Sequence, residues 1–358
     1  MIQQDVQNDL TNQLQDKVRL AIETGDGFII KAGGTKDFYG RTVSGKELIV
    51  AEHQGIIKYE PTELVITARA GTQLKTIEKI LSDNNQMLAF EPPAFGNNAT
   101  IGGTMACNFS GPRRAYSGAV RDSVLGSKII NGKAEVLSFG GEVMKNVAGY
   151  DVSRLMTGAM GTLGVLLEVS LKVVPKAETE VTLMQHANIE DALAKLHQWS
   201  ILSLPISASC FYKETLYIRL SGSEKSILAA QQTMGGEILI EADSFWYSIK
   251  EQTHDFFKND QPLWRISLAS NTANLSLAGD TMMEWGGALR WLKTDMSQEQ
   301  IKTVSDSING HISLFRTSWK RDKVFQPLPK HLLQLHRNLK QAFDPHGIFN
   351  IGRMYQAF

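Results

Sequence analysis

Two cysteines in 358 residues, Cys107 and Cys210, set the first limit. They lie far apart and form no Cys-x-x-Cys pair, whereas an iron–sulfur cluster needs several thiolates at set spacings. The chain therefore cannot hold a conventional cluster alone, and so few thiols fit a reducing compartment. Charge of one sign is missing too: 37 basic and 37 acidic side chains give a formal net charge of zero. Nucleic-acid binding normally announces itself by a basic patch or stripe, so no nucleic-acid partner is expected. No stretch approaches the ~18 uninterrupted apolar residues of a membrane span. The segment 1–24 is polar, with no apolar run of the secretory-signal kind. These absences lead to the expectation of a cytoplasmic chain without a transmembrane segment. Eight histidines are present. The nearest to ligand spacing, His331 and His336, are five apart in a predicted helix and do not share a face, so no metal site is expected.

What is present is a chain of 42% apolar residues, long enough for two domains at ~100–200 residues each. The spacing Val6, Leu10, Leu14, Val18, Ile22 predicts a helix over 5–23. A short strand at 28–30, a second at 64–68 and a helix over 72–81 follow. Residues 90–165 are rich in glycine yet apolar, which suggests backbone packed against itself or a ligand. The alternation Leu167, Val169, Leu171, Val173 predicts a strand over 165–174, and 175–180 reads as a domain boundary. Beyond it, strands at 181–185, 207–220, 237–241, 264–268, 287–292 and 312–316 alternate with helices at 189–200, 223–234, 244–257 and 297–308. That pattern suggests an antiparallel sheet with helices on one face. A last helix is predicted over 330–343.

Three glycine motifs stand out. Ala32-Gly33-Gly34-Thr35-Lys36-Asp37 follows a strand, and consecutive glycines let backbone N–H groups converge on an anion such as a diphosphate. By itself the pair reads more readily as an ordinary turn. Gly96-Asn97-Asn98-Ala99-Thr100-Ile101-Gly102-Gly103-Thr104-Met105-Ala106-Cys107-Asn108 repeats the chemistry with amide side chains added. Gly158-Ala159-Met160-Gly161-Thr162-Leu163-Gly164-Val165 imitates a dinucleotide fingerprint but precedes a strand, where the true fingerprint follows one. No Gly-x-x-x-x-Gly-Lys-Ser/Thr loop exists, so NAD and ATP sites of the usual kinds are unsupported.

The order Gly33-Gly34-Thr35, Thr100-Ile101-Gly102-Gly103, Gly118 with Arg121-Asp122, Lys145-Asn146-Val147-Ala148-Gly149-Tyr150-Asp151 and Gly161-Thr162-Leu163-Gly164 resembles the FAD-binding domain of the vanillyl-alcohol-oxidase and p-cresol-methylhydroxylase family. The tail from Phe343 to Arg353 is similar to that family's C-terminal signature, and the whole chain resembles the FAD-binding subunits of bacterial glycolate oxidases. The resemblance implies an α+β fold: a two-subdomain FAD-binding domain over 1–176, an α+β cap with an antiparallel sheet over 177–325, and a helix and tail over 326–358 returning to the first domain. It implies that Gly33, Gly34, Thr35, Lys36 and Asp37, with Gly96, Thr100, Ile101, Gly102 and Gly103, hold the pyrophosphate through backbone N–H groups. Ala106, Asn108 and Gly118 would add cofactor contacts. Gly161, Thr162, Gly164 and Val165 would line the adenine or flavin side, and Asn350 would lie near the flavin ring.

Two departures from the family pattern matter. Relatives that attach FAD covalently do so through a histidine beside the first glycine run. Lys36 and Asp37 stand there instead, so FAD is expected to be noncovalent. The family's hydroxy-acid dehydrogenases carry a His-x-Gly-x-Gly-Asn-x-His segment in the cap; its nearest counterpart here, Glu284 to Arg290, has no histidine, and no catalytic residue is assigned. Arg290 reads either as a clamp for a substrate carboxylate or, more simply, as a solvated arginine. The implied activity is glycolate to glyoxylate, with a paralogous FAD-containing catalytic subunit and an iron–sulfur subunit as partners. A self-sufficient FAD-dependent 2-hydroxy-acid dehydrogenase, and an electron-relay or structural subunit without its own substrate site, are the alternatives.

Overall fold

The computed structural model describes residues 7–141, 151–306, 309–318 and 321–358. The chain folds into two compact units: Met1–Phe109, Ala119–Pro175 and Pro327–Phe358 form one, Ser110–Gly118 and Lys176–Gln326 the other. Residues 110–118, read from sequence as part of the first domain, group with the second unit.

The first unit is built on a five-stranded antiparallel sheet, in the order Ile56–Glu60, Val65–Arg69, Val165–Lys172, Val124–Ile130, Val136–Gly140. Strand Val165–Lys172 shows why alternation predicts it. Val165, Leu167, Val169 and Leu171 are all buried and the residues between them are half-buried. One face of this single strand serves two cores. Val165 and Leu167 pack with Leu14, Val18, Phe28 and Leu48, while Val169 and Leu171 pack with Ile66, Ile77, Ile101 and Met105. The amphipathic helix begins later than its pattern suggested, at Thr11–Thr24, and it buries Leu14, Val18 and Ala21. Strand Phe28–Lys31 pairs in parallel with Lys46–Ile49, which the sequence did not signal.

The second unit carries an eight-stranded, wholly antiparallel sheet. Helices Ile189–Ser200 and Glu224–Met234 cover one face, closing a core of Leu183, Leu216, Ile218, Leu220 and Met283. Helix Ala242–Lys250 breaks the expectation that all helices share that face. Its Trp246 donates Nε1–H to Thr182 Oγ1 at 2.8 Å, and Thr182 alternates with the core residue Leu183 along its strand, so it points the other way. The predicted helix over 244–257 is in fact this helix and a separate turn, Asp255–Phe257. Residues 110–118 join this unit through paired contacts. Arg113 is bonded to Glu180, Trp285 Nε1 donates to Gly111 O at 3.0 Å, and the Arg114 guanidinium lies 4.4 Å from the Trp285 ring centre. The charged Arg113-Arg114 pair is thus largely spent within the unit.

Candidate functional site

The glycine turns of the first unit converge. Gly33 has its backbone against Asn98: a Cβ there would overlap the Asn98 carbonyl oxygen. Gly96 faces Thr35, its Cβ direction 3.2 Å from Thr35 Cγ2. The turn after strand Phe28–Lys31 and the turn before Thr100 therefore lie side by side. No protein acceptor is found among the described residues for the N–H groups of Gly33, Gly34 and Thr35, nor for those of Asn97 and Asn98. Two adjacent loops with uncommitted N–H groups make an anion nest.

The part of the second motif expected to supply such donors does not. Ile101 N–H donates to Thr72 O at 3.0 Å, and Gly102 N–H to Ala70 O at 2.8 Å. Gly103 N–H bonds Thr100 Oγ1 at 3.1 Å, which caps helix Ile101–Cys107. These three amides are already used inside the protein. Gly102 is needed for a different reason: its Cβ would stand 2.6 Å from Ala70 Cβ, so it lets the helix seat on strand Val65–Arg69. The donors move five residues upstream, to Asn97 and Asn98, which the sequence reading quoted but did not assign to the site.

Lys36 is buried within this nest. Its Nζ lies 3.3 Å from Ala94 O, 3.4 Å from Thr35 Oγ1 and 5.9 Å from the Phe95 ring centre. Asp37 is more exposed and sits 3.5 Å from Lys31 Nζ. The turn is held from beneath by Arg353, whose guanidinium donates to Tyr39 O at 2.6 Å, Arg41 O at 3.0 Å and Asp37 O at 3.4 Å.

The third motif folds against the end of helix Ile101–Cys107. Gly158 N–H donates to Met105 O and Met160 N–H to Ala106 O. Asn108, in the left-handed region at φ 53°, ends the helix. Among the described residues its buried Oδ1 and the buried hydroxyl of Thr104 have no protein partner, and a bound polar group would satisfy both. Thr162, Gly164 and Val165 are internal. The Thr162 hydroxyl is spent on Ala159 O at 2.7 Å, and Val165 belongs to the core. Three non-glycine residues here take left-handed backbone: Asn108, Met160 and Asn350. Such strain gathers at ligand sites. Gly118 falls in the second unit, where it ends helix Arg114–Ser117. The segment 145–150 lies outside the described residues; Asp151 caps helix Val152–Met156 through Arg154 N–H.

Asn350 has a clear place in the first unit. Its Oδ1 accepts Ile30 N–H at 2.9 Å and its Nδ2 donates to Met160 O at 2.7 Å. The side chain is a clamp joining strand Phe28–Lys31 to the third glycine turn, with its amide already engaged. Beside it, Lys340 Nζ donates to Asp344 Oδ2 at 2.6 Å, Thr162 O at 2.7 Å and Phe349 O at 2.8 Å. Burial pushes the Lys340 ammonium below its usual range, and Asp344 opposes that. Sequence reasoning missed Lys340 and Arg353. The signal available was a basic residue four before an aspartate at a helix end. Cys107 stays a thiol, since burial raises its pKa more than Lys36 and Arg353 lower it.

A nest of free N–H groups, a buried ammonium and unsatisfied buried oxygens fit FAD, a long anionic cofactor with polar edges. The comparisons agree. A family described as an FAD binding domain matches residues 4–140. The glycolate oxidase subunit GlcE of Escherichia coli K12 is 46% identical over 347 residues, covering 97% of this chain and 98% of that protein. The chain belongs to the GlcE family of FAD-binding proteins. The glycolate oxidase subunit GlcD of Bacillus subtilis is 33% identical over 153 residues, which is 42% of this GlcE-family chain and 32% of GlcD. An alkyldihydroxyacetonephosphate synthase structure superposes with a TM-score of 0.68 over 95% of this chain and 75% of its own, at 14% identity, and shares the fold. The α+β architecture with its antiparallel cap sheet is therefore the family's, and its FAD is noncovalent. No helix among the described residues is long and apolar enough to cross a membrane.

Proposed function

We propose that this chain is the FAD-carrying subunit of a multisubunit 2-hydroxy-acid oxidase of the glycolate type, and that its flavin serves electron relay without a substrate site of its own. Similarity along the full length of GlcE supports membership of such an assembly. The two cysteines support leaving iron–sulfur chemistry to a partner chain, and a paralogous flavoprotein like GlcD would oxidise glycolate to glyoxylate. The chain would work in the cytoplasm and meet the inner membrane only through those partners.

Bound FAD supplies two-electron chemistry, and the protein supplies its placement. The N–H groups of Gly33, Gly34, Thr35, Asn97 and Asn98 would hold the diphosphate, with the Lys36 ammonium balancing its charge. Oxidising a 2-hydroxy acid also requires a base for the hydroxyl proton, and a positioned base contributes ~100–10,000-fold.

The observation that carries the relay reading is the state of Glu284. It is the one carboxylate in the Glu284–Arg290 segment, it is 5% exposed, and its Oε1 is bound by Trp291 Nε1–H at 2.6 Å. Tyr212, a second candidate, donates to Asp280 Oδ2 at 3.3 Å, and burial raises its hydroxyl pKa. Neither is poised to take a proton.

The test is stopped-flow mixing of the isolated, flavin-loaded chain with glycolate and an artificial acceptor, repeated after adding the partner subunits. Little bleaching alone and full turnover in the assembly are expected. Turnover by the isolated chain at the rate of the assembly would establish the self-sufficient dehydrogenase instead.

A further inference from the structure

Arg290 is not the solvated arginine its sequence context suggested. It is 6% exposed and sits on strand Leu289–Lys293, opposite Met283 and Ile266 on the neighbouring strands. Those neighbours place its side chain on the helix-covered face of the second unit's sheet. There the guanidinium donates to Thr272 O at 3.0 Å and contacts the Met283 sulfur. Among the described residues its Nε–H has no partner and no carboxylate pairs with it. A buried cation without a counter-charge is costly, and proteins normally pair it. Burial alone pulls its pKa down to about 10, so it stays charged at neutral pH.

The guanidinium lines a cavity of about 20 Å³, walled by Ile189, Phe211, Leu275, Leu277 and Leu292. That volume is somewhat more than the ~10–15 Å³ one water needs, so it admits only an ion of very few atoms. Ile189 is the first residue of helix Ile189–Ser200, whose twelve residues direct a partial positive charge toward its start. The first turn of that helix also carries Glu190 and Asp191, and Asn274 on the cavity wall donates to Glu190 Oε1 at 3.3 Å, so Arg290 supplies the positive charge at the cavity, whose other walls are apolar but for Asn274 and Thr281.

We propose that this cavity is a site for a small monovalent anion, a halide or a one-carbon carboxylate, held by Arg290 and closed by the Leu275–Leu277 segment. The anion supplies the missing counter-charge and fixes the loop before strand Asp280–Glu284 against the sheet. Larger acids and divalent anions are excluded by volume and by the apolar walls. The site would couple the stability of the second unit to the anion content of its surroundings.

The tryptophans make the test selective. All six lie between positions 199 and 319, so intrinsic tryptophan fluorescence follows the second unit, while flavin fluorescence follows FAD release. The full chain, loaded with FAD, is melted in gluconate at constant ionic strength, with chloride or formate replacing gluconate stepwise. Gluconate is too large for the cavity. The tryptophan transition should rise saturably with chloride or formate, by about 2–4 °C at saturation, with FAD release unmoved. Arg290→Met should abolish the rise and melt no lower than the parent in gluconate, because it removes an uncompensated charge. Leu277→Trp, which fills the cavity and keeps Arg290, should abolish the rise as well. A response in chloride but not formate, or the reverse, would identify which anion fits. A parent that melts identically in all three salts, or a rise that survives both substitutions, would overturn the proposal.

Discussion

Gly33 and Asn98 touch backbone to backbone, so closely that no side chain can stand on Gly33. This contact sets the spacing of the two loops whose free N–H groups form the anion nest. Gly33→Ala must push the loops apart, because the obstacle is a carbonyl oxygen and not a flexible side chain. We expect FAD affinity to fall more than tenfold, a change above about 1.4 kcal/mol, with the tryptophan-reported unfolding of the second unit unaltered. Fluorescence titration with FAD measures the first and urea unfolding the second. Unchanged affinity would remove the two loops from the cofactor site.

The glycines of the second motif separate packing from ligand contact. Gly102 rests on Ala70, while a Cβ on Gly103 would meet only the Thr100 hydroxyl, at 3.2 Å. Gly102→Ala should therefore destabilise the first unit whether or not FAD is present, by about 1–3 kcal/mol for overpacking. Gly103→Ala should bind FAD nearly as the parent does, since helix interiors favour alanine. Thermal melts of apo and loaded protein decide it. If Gly103→Ala lost FAD while folding normally, the Gly103 amide would contact the cofactor after all.

Where the hydrophobic period ran unbroken, the fold was legible to the residue: helices Ile189–Ser200 and Lys330–Phe343 begin and end where their patterns do. Helix Ile101–Cys107 was not, because two adjacent glycines hide it; it forms because Thr100 caps it and Gly102 seats it on Ala70. Strand Asp280–Glu284 was missed because Thr281 is its one β-branched residue and both its ends are acidic. It is held by pairing with Leu289–Lys293. The glycine turns of the site could be read as anion loops. Which of their amides are free could not, since that depends on Ala70 and Thr72, residues distant in sequence.

Acid should weaken the first unit through His53. The ring is fully buried, and its Nδ1 accepts Leu10 N–H at 3.0 Å. Burial lowers its pKa, Asp9 opposes this and Arg69 adds to it. A base with a depressed folded pKa is protonated first in the unfolded chain. Stability is thus unaffected above about pH 6.5 and falls as pH drops from there toward the folded value. His53→Gln keeps an acceptor for Leu10 and cannot titrate. The variant should flatten the dependence of FAD-release temperature on pH between about 5 and 7. A parallel slope in parent and variant would assign the acid lability to other groups.

Lys340 and Asp344 tie the C-terminal helix to the third glycine turn. The ammonium spends its three donors on Asp344, Thr162 and Phe349, and Asp344 also accepts the N–H groups of Ile348 and Phe349. Removing the lysine leaves a carboxylate and two carbonyls buried without it. Breaking a buried pair from one side costs about 3–5 kcal/mol. Lys340→Met should therefore destabilise the first unit by that order, and it should weaken FAD binding, because Thr162 sits in the turn that Asn350 clamps through Met160. Lys340→Arg should not rescue it, since a planar guanidinium cannot match three acceptors arranged for a compact ammonium. Adding Asp344→Asn to Lys340→Met should recover part of the loss by removing the stranded charge, though the amide that replaces the carboxylate accepts at only one oxygen. Flavin-release melts of the two single variants and the double variant give the coupling energy directly. Additive losses would show that the lysine and the aspartate act separately, and the pair would then have no special part in shaping the turn.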